Sequence, residues 1–267
     1  MNPRPVALLT DFGLTDEYVG VMKGVLLTLA PGLTIVDLSH GIRPGDVRQA
    51  ALLLAAGYRY FPDDTVYVCV VDPGVGSDRR IVALKAGKRI FLAPDNGLLT
   101  PILAAEPDAT ARQVTRADLF LPAVSSTFHG RDIFAPTGAR LAGGLPVEEV
   151  GPPVTPASLL TLPMPAARQQ GGRLHGEIVA IDRFGNCATS IRDRDLLLFA
   201  AGKRDIRVHC HGWTIDGLSP HYRASGEGAI ALINSRGVLE IAVANGNAAS
   251  LLGLAEGAPV VVDPGDR

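Results

Sequence analysis

The chain opens on a short apolar run, PVALLT, that stops at Asp11. Beyond it Val19, Met22, Val25, Leu26 and Leu29 recur at helical spacing, which predicts a helix capped by Thr15 and stopped by Pro31-Gly32. LTIVDLS predicts a second strand. Asp46, with Gln49 three residues on, resembles a capping box and opens a helix that runs to about Tyr60. TVYVCVVD is continuously apolar up to its aspartate, as expected of a strand buried on both faces. IVALK and RIFLAPD predict two further strands. GLLTPILAA and FHGRDIFAPTGARLAGG predict helices, the second bent in its early turns by Pro136. Alternation of this kind predicts an α/β domain with Rossmann-like layers around a mostly parallel sheet.

From residue 151 to residue 172 the texture changes. GPPVTPASLLTLPMPAARQQGG is rich in proline and glycine and has no periodic run, so it reads as a linker. After it come short β-like runs, GEIVAI, CATSIR, DIRVHC, GAIALI, VLEIAVA and PVVVD, with NAASLLGL as the longest helical stretch. Close turns between short strands predict a small all-β, barrel-like domain. The expected domains are residues 1–165 and 172–267.

Composition narrows the function. With 267 residues, 47% of them apolar and 19% charged, the chain has material for sizeable cores. A net charge of -2 without a long basic run argues against nucleic-acid binding. The longest apolar stretch, AALLLAAGY, is too short to span a bilayer, and MNPRPVALLTD carries no secretory pattern, so no membrane partner is expected. Three cysteines (Cys69, Cys187 and Cys210) form no CxxC pair and fit a cytoplasmic protein. HCH, residues 209–211, has no third ligand in spacing for zinc, and dinucleotide, P-loop and hydrolase-elbow motifs are missing.

In parallel α/β sheets ligands bind beyond the carboxyl ends of the strands. Asp11, Asp72 and Asp95 each end an apolar run, and each precedes a turn: glycine follows the first two closely, and Asn96-Gly97 follows the third. Three such ends suit a small polar ligand with hydroxyls, although Asp and Asn also favour turns and caps on their own account. FHGRD puts His129 just before a helix. With VVDPGVGSDRR it supplies an aspartate, an arginine and an imidazole, the groups needed to hold and polarise water. IDRFGN and NSRG place polar groups at strand exits in the second half, which suits an amino acid's ammonium and carboxylate, or a polar hairpin tip.

TDFGLTD, DLSHGI, VVDPGVGSDRR, APDNGLL, STFHGRDIFAP, IDRFGN and NSRGVLEIA occur here in order, and together they span nearly the whole chain. In this the chain resembles the S-adenosyl-L-methionine hydroxide adenosyltransferases, or S-adenosylmethionine hydrolases, which are relatives of the fluorinase and chlorinase. The resemblance implies hydrolysis of S-adenosylmethionine to adenosine and L-methionine, with no cofactor and no metal. It implies a homotrimer in which one subunit's N-terminal domain meets a neighbour's C-terminal domain at each site. It assigns Asp11 to the ribose hydroxyls, and Asp16, Asp182, Ser235 and Arg236 to the methionine amino and carboxylate groups. Phe184, Asn186 and the backbone of Ala248 fall at the adenine, and Asp95 and Asn96 join the substrate-binding set. Asp72, Arg79 and His129 match the water-handling triad, where spacing favours Arg79 over its neighbour Arg80. The halogenases of this group carry tyrosines at the positions of Asp72 and His129, and a long insertion where KAGKRIFLAPDNG is short. These differences favour water over halide. A halogenase and a sensor that binds S-adenosylmethionine without turnover are the alternatives.

Overall fold

The computed structural model describes residues 3–200, 206–223 and 228–264. They form two compact units, Met1–Pro163 and Met164–Arg267. The first contains a seven-stranded sheet. Its strands are β1 (Val6–Thr10), β2 (Ile35–Ser39), β3 (Val66–Val70), β4 (Ile81–Ala86), β5 (Arg89–Pro94), β6 (Thr110–Gln113) and β7 (Pro153–Val154). They lie in the order β2-β1-β3-β5-β4-β6-β7. β1, β3 and β5 are fully buried or nearly so, which accounts for their continuously apolar sequences.

The expectation of a mostly parallel sheet needs correction. β2, β1, β3 and β5 run parallel, but β4 is antiparallel to both β5 and β6, and β7 is antiparallel to β6. The cause is local. Ala86 pairs with Arg89 across the two-residue loop Gly87-Lys88, and so short a loop can join only antiparallel strands. Gly87 takes the positive φ of 59° that such a turn requires.

Helices α1 (Tyr18–Leu29) and α4 (Ala135–Ala142) cover one face of this sheet, where Met22, Leu26 and Phe134 pack on Val6, Leu8 and Val68. Helices α2 (Val47–Gly57) and α3 (Thr100–Ala105) cover the other, where Leu54 and Ile102 meet Leu9, Tyr67 and Phe91. Thr15 does not cap α1: the helix starts at Tyr18, with Glu17 at its cap position and no side-chain capping bond. Asp46 does cap α2, accepting from Gln49 N at 2.8 Å. The reciprocal half of the box is redirected, because Gln49 Oε1 accepts from Arg43 N.

The second unit is an antiparallel sheet built from β8 (Arg168–Gln170), β9 (Arg173–Ile181), β10 (Cys187–Arg192), β11 (Ile206–Cys210), β12 (Trp213–Asp216), β13 (Ala229–Ile233), β14 (Val238–Val243) and β15 (Pro259–Pro264). The path β12-β11-β15-β9-β10-β14-β13 curls almost into a barrel, and Ser219 N donates to Ala231 O where its two ends approach. Inside lie Ile178, Cys187, Val208, Leu239 and Val260. Two short helices join it, α5 (Asp193–Phe199) and α6 (Ala248–Leu252). The sequence reading missed α5, although Asp193 and Asp195 mark its first turn. The expected linker is divided between the units: β7 closes the first sheet and β8 pairs with β9 in the second. The three cysteines are buried and unpaired. No helix among the described residues is long and apolar enough to cross a membrane.

Candidate active site

Because β1, β3 and β5 are parallel neighbours, the residues that follow them share one edge of the sheet. Asp11, Asp72 and Asp95 therefore stand along that edge. The antiparallel β4 begins there too, which brings Arg79 and Arg80 to the carboxylates. The segment between β3 and β4 has to step over β5, roughly 10 Å at the usual strand spacing.

Arg79 is the hub. Its Nε lies 2.9 and 2.8 Å from the two oxygens of Asp72, and its Nη2 also bonds Oδ2. The same Nη2 is 2.8 Å from His129 Nδ1. The side chains of Asp72 and Arg79 are only 5% and 11% exposed, so this ion pair is shielded from solvent. A guanidinium has no acceptor, so Arg79 donates and Nδ1 accepts, which places the proton of the neutral imidazole on Nε2. Burial lowers the pKa of His129, and the Arg79 charge lowers it further, against opposing pulls from Asp72 and Asp132. The imidazole is thus held neutral.

Two local devices hold His129 in place. Gly76 has a φ of +80°, and a Cβ there would lie 2.5 Å from Ser126 O, so only glycine lets the Asp72 turn press on the loop before His129. Beyond His129, residues Gly130–Phe134 form one π-helical turn ahead of α4. Pro136 has no N–H to give to Asp132 O four residues back, and that carbonyl accepts from Leu121 N instead. The fully buried Asp132 carboxylate also accepts from Ser125 N at 2.7 Å and pairs with Arg131. Burial would raise the pKa of Asp132, but these hydrogen bonds outweigh it and keep the group below the ordinary carboxylate value.

Asp11 accepts from Gly45 N through Oδ2, at 2.7 Å. Behind it the buried His40 pins the loop twice: Nδ1 lies 2.7 Å from Thr10 Oγ1, and its carbonyl accepts from Gly13 N. Asp11, Asp72 and His129 line one cavity of about 320 Å³, together with Phe12, Tyr18 and Phe128. That volume is at the small end for ligand pockets, enough for the reacting part of a larger molecule.

The other candidates fall elsewhere. Arg80 binds Asp95 through Nε at 2.8 Å and Ser158 O through Nη2 at 2.6 Å. Asp95 spends its second oxygen on Leu160 N, and neither residue lines the cavity. Asn96 donates to Val71 O at 2.9 Å, fixing the strand exit directly before Asp72. Asp16 is exposed and outside the cavity lining.

In the second unit Asp182 Oδ1 accepts from Phe184 N and Asn186 N, each at 2.9 Å. This turn presents the Phe184 ring 75% exposed. Ala249 N donates to Gly185 O, so Ala248 at the start of α6 is held beside Phe184 and Asn186. Ser235 and Arg236 are exposed on the β13–β14 turn. The buried Glu240 accepts from Asn234 Nδ2 and Tyr222 OH, both at 2.7 Å, and steadies that turn.

Sequence reasoning missed Phe12, Tyr18 and Phe128 as cavity walls and His40 as a support, although all but Tyr18 sit inside the motifs quoted for the resemblance. Among the described residues no group of three or more His, Cys, Asp and Glu side chains is placed to hold a metal ion.

Comparison with known proteins places this geometry. The S-adenosylmethionine hydroxide adenosyltransferase N-terminal domain model matches residues 6–151, and the C-terminal domain model matches residues 176–261. An (R)-S-adenosyl-L-methionine hydrolase of Salinispora tropica is 39% identical over 100% of this chain and 98% of its own. A fluorinase of an Actinoplanes species is 32% identical over 90% of this chain and 91% of its own. The crystal structure of an uncharacterized conserved protein from Thermotoga maritima superposes with a TM-score of 0.90 at 34% identity, covering 97% of this chain and 99% of that one. With both domain models matched in order along the chain, this protein belongs to the S-adenosylmethionine hydroxide adenosyltransferase family.

Proposed function

We propose that this protein hydrolyses S-adenosyl-L-methionine to adenosine and L-methionine. The (R) configuration at sulfur, which the hydrolase relatives carry in their name, is the form assigned to the substrate. The observation that carries the reading is the Arg79 guanidinium gripped between Asp72 and His129, two residues that line the cavity.

The sulfonium is already a good leaving group and needs no proton. The protein has to hold an oxygen nucleophile in line with the C5′–S bond and exclude bulk water. Positioning of that kind contributes about 7–11 kcal/mol in favourable cases. With Nδ1 engaged by Arg79, His129 offers an Nε2–H donor to the nucleophile. A donor beside a guanidinium stabilises hydroxide better than water, so the arrangement favours a nucleophile that is hydroxide-like when it attacks. The O–C5′ bond forms, the C5′–S pair passes to sulfur, and one proton is released overall. Asp11 keeps one oxygen free for the ribose hydroxyls. Asp182, Ser235 and Arg236 take the methionine end, with Asp16, and Phe184, Asn186 and Ala248 take the adenine, as parts of the same proposal. A homotrimer completes it, and sedimentation velocity measures that directly.

The Asp72 carboxylate in the cavity lining suits water better than halide, because it can accept a hydrogen bond from an O–H and only repels a halide. Purified protein given S-adenosylmethionine should release adenosine and methionine in equal amounts, with or without a chelator. Dominant 5′-chloro-5′-deoxyadenosine in chloride buffer would make it a halogenase. Binding without turnover would make it a sensor.

A further inference from the structure

We propose that the ring trio Phe12, Tyr18 and Phe128 is the sulfonium receptor of the cavity, and that it selects a cationic sulfonium over a neutral thioether. The inference rests on the hydrolase reading above and adds the source of its charge selectivity.

The three rings come from separate pieces of chain: the loop after β1, the first residue of α1, and the loop ahead of His129. Phe128 meets both other rings edge to face, with centroids 6.0 Å apart for Phe12–Phe128 and 5.1 Å for Tyr18–Phe128, and Phe12 and Tyr18 are tilted against each other at 5.8 Å. All three line the cavity with Asp11, Asp72 and His129. Tyr18 is 41% exposed, so it is not a core filler. Phe12 and Phe128 are only partly buried.

The charge around the cavity points the same way. Its lining includes no lysine or arginine, and its two carboxylates are Asp11 and Asp72. Asp72 is already matched by Arg79, which leaves the region around Asp11 and the rings receptive to a positive ligand group. Ring faces attract cations through their quadrupole. One face of Phe128 already meets a cation, with the Arg131 guanidinium carbon 5.2 Å from its centroid. Within the trio, Tyr18 and Phe12 are therefore the rings that receive the ligand, and Phe128 braces both of them edge to face.

The chemistry gives this attraction a distinctive signature. The sulfonium loses its charge as the C5′–S bond breaks, so the attraction is strongest in the bound substrate and fades toward the transition state. It tightens substrate binding without lowering the barrier from the bound state. The neutral thioether that forms no longer receives it.

The test compares KM for S-adenosylmethionine with the inhibition constant of S-adenosylhomocysteine, its neutral thioether counterpart, in Tyr18→Leu, Tyr18→Phe and Phe12→Leu. Tyr18→Leu should raise KM about fivefold, the equivalent of about 1 kcal/mol, without lowering kcat. The inhibition constant should move less than about twofold, and Tyr18→Phe should keep the wild-type preference. Parallel weakening of both ligands would overturn the inference, as would a fall in kcat at constant KM. A wild-type protein that neither binds nor consumes S-adenosylmethionine would sink the hydrolase reading, and this inference with it.

Discussion

Replacing Arg79 by glutamine separates the roles built into one side chain. The change removes the charge that faces Asp72 and the donor to His129 Nδ1, and it leaves a carboxylate that is only 5% exposed without its ion-pair partner. Breaking a buried pair from one side costs about 3–5 kcal/mol. At about 2–4 °C per kcal/mol for a domain of this size, the midpoint of unfolding should fall by roughly 6–20 °C. Catalysis should suffer independently, because the imidazole loses the bond that sets its tautomer and the nucleophile loses a neighbouring cation. Losing one preorganised electrostatic donor lowers kcat by about 10²–10³. Arg79→Lys should recover little, since an ammonium cannot span Asp72 and His129 as the planar fork does. Arg80→Gln is the comparison: it breaks the bonds to Asp95 and Ser158, outside the cavity, and should reduce kcat by less than about tenfold. Adenosine release followed by chromatography at temperatures where each variant is folded, with thermal melts alongside, gives both numbers. A kcat for Arg79→Gln within tenfold of wild type, or a larger loss in Arg80→Gln, would refute the assignment of Arg79 as the hub.

Other perturbations test the surrounding parts. His129 is held neutral below its ordinary value of 6.5, so the acid limb of kcat/KM should fall below that pH, and Asp72→Asn, which removes a charge that raises the pKa, should push it lower still. The unfolded chain protonates this histidine near pH 6.5 and the folded chain does so lower. Between those values the unfolded state binds more protons, so stability is full above pH 6.5 and declines as pH falls through that window, which melts across pH 5–7 would reveal. Gly76→Val puts a side chain where Ser126 O lies within 2.5 Å and forces a positive φ on a β-branched residue. It should cost kcat far more than KM as His129 is pushed away from Arg79, and unchanged kinetics would show that the two loops need no contact. His40→Ala leaves Thr10 Oγ1 without its buried partner, at about 1–3 kcal/mol, and should raise KM by releasing Asp11. An unaltered KM would confine His40 to the fold.

Much of this was legible in the sequence because the motifs sit where apolar runs stop. Asp11, Asp72 and Asp95 each follow a buried strand, and a buried strand is the strongest local signal a chain gives. Direction is different. IVALKA and RIFLA flank a two-residue turn, which is a hairpin signal, yet strand–helix alternation elsewhere suggested a parallel sheet. That reversal has a consequence for the site: the antiparallel β4 is what returns Arg79 to the edge where Asp72 stands. The separation of Arg79 from Arg80 also needed coordinates, since adjacent side chains before a strand point to opposite faces, one toward Asp72 and the other toward Asp95. The ring trio was invisible because its members are brought together only by the packing of α1 and the His129 loop over β1. The π-turn was half visible: Pro136 announced a disturbed helix, but the carbonyl it frees finds Leu121 only in three dimensions.

The central claim is attack of a water-derived oxygen on ribose C5′, and isotope labelling tests it most directly. Turnover of S-adenosylmethionine in water enriched in oxygen-18 should place one labelled oxygen in the adenosine 5′-hydroxyl, with none in methionine, as read by mass spectrometry of both products. Unlabelled adenosine, label in methionine, or methanol and S-adenosylhomocysteine as the products would contradict it.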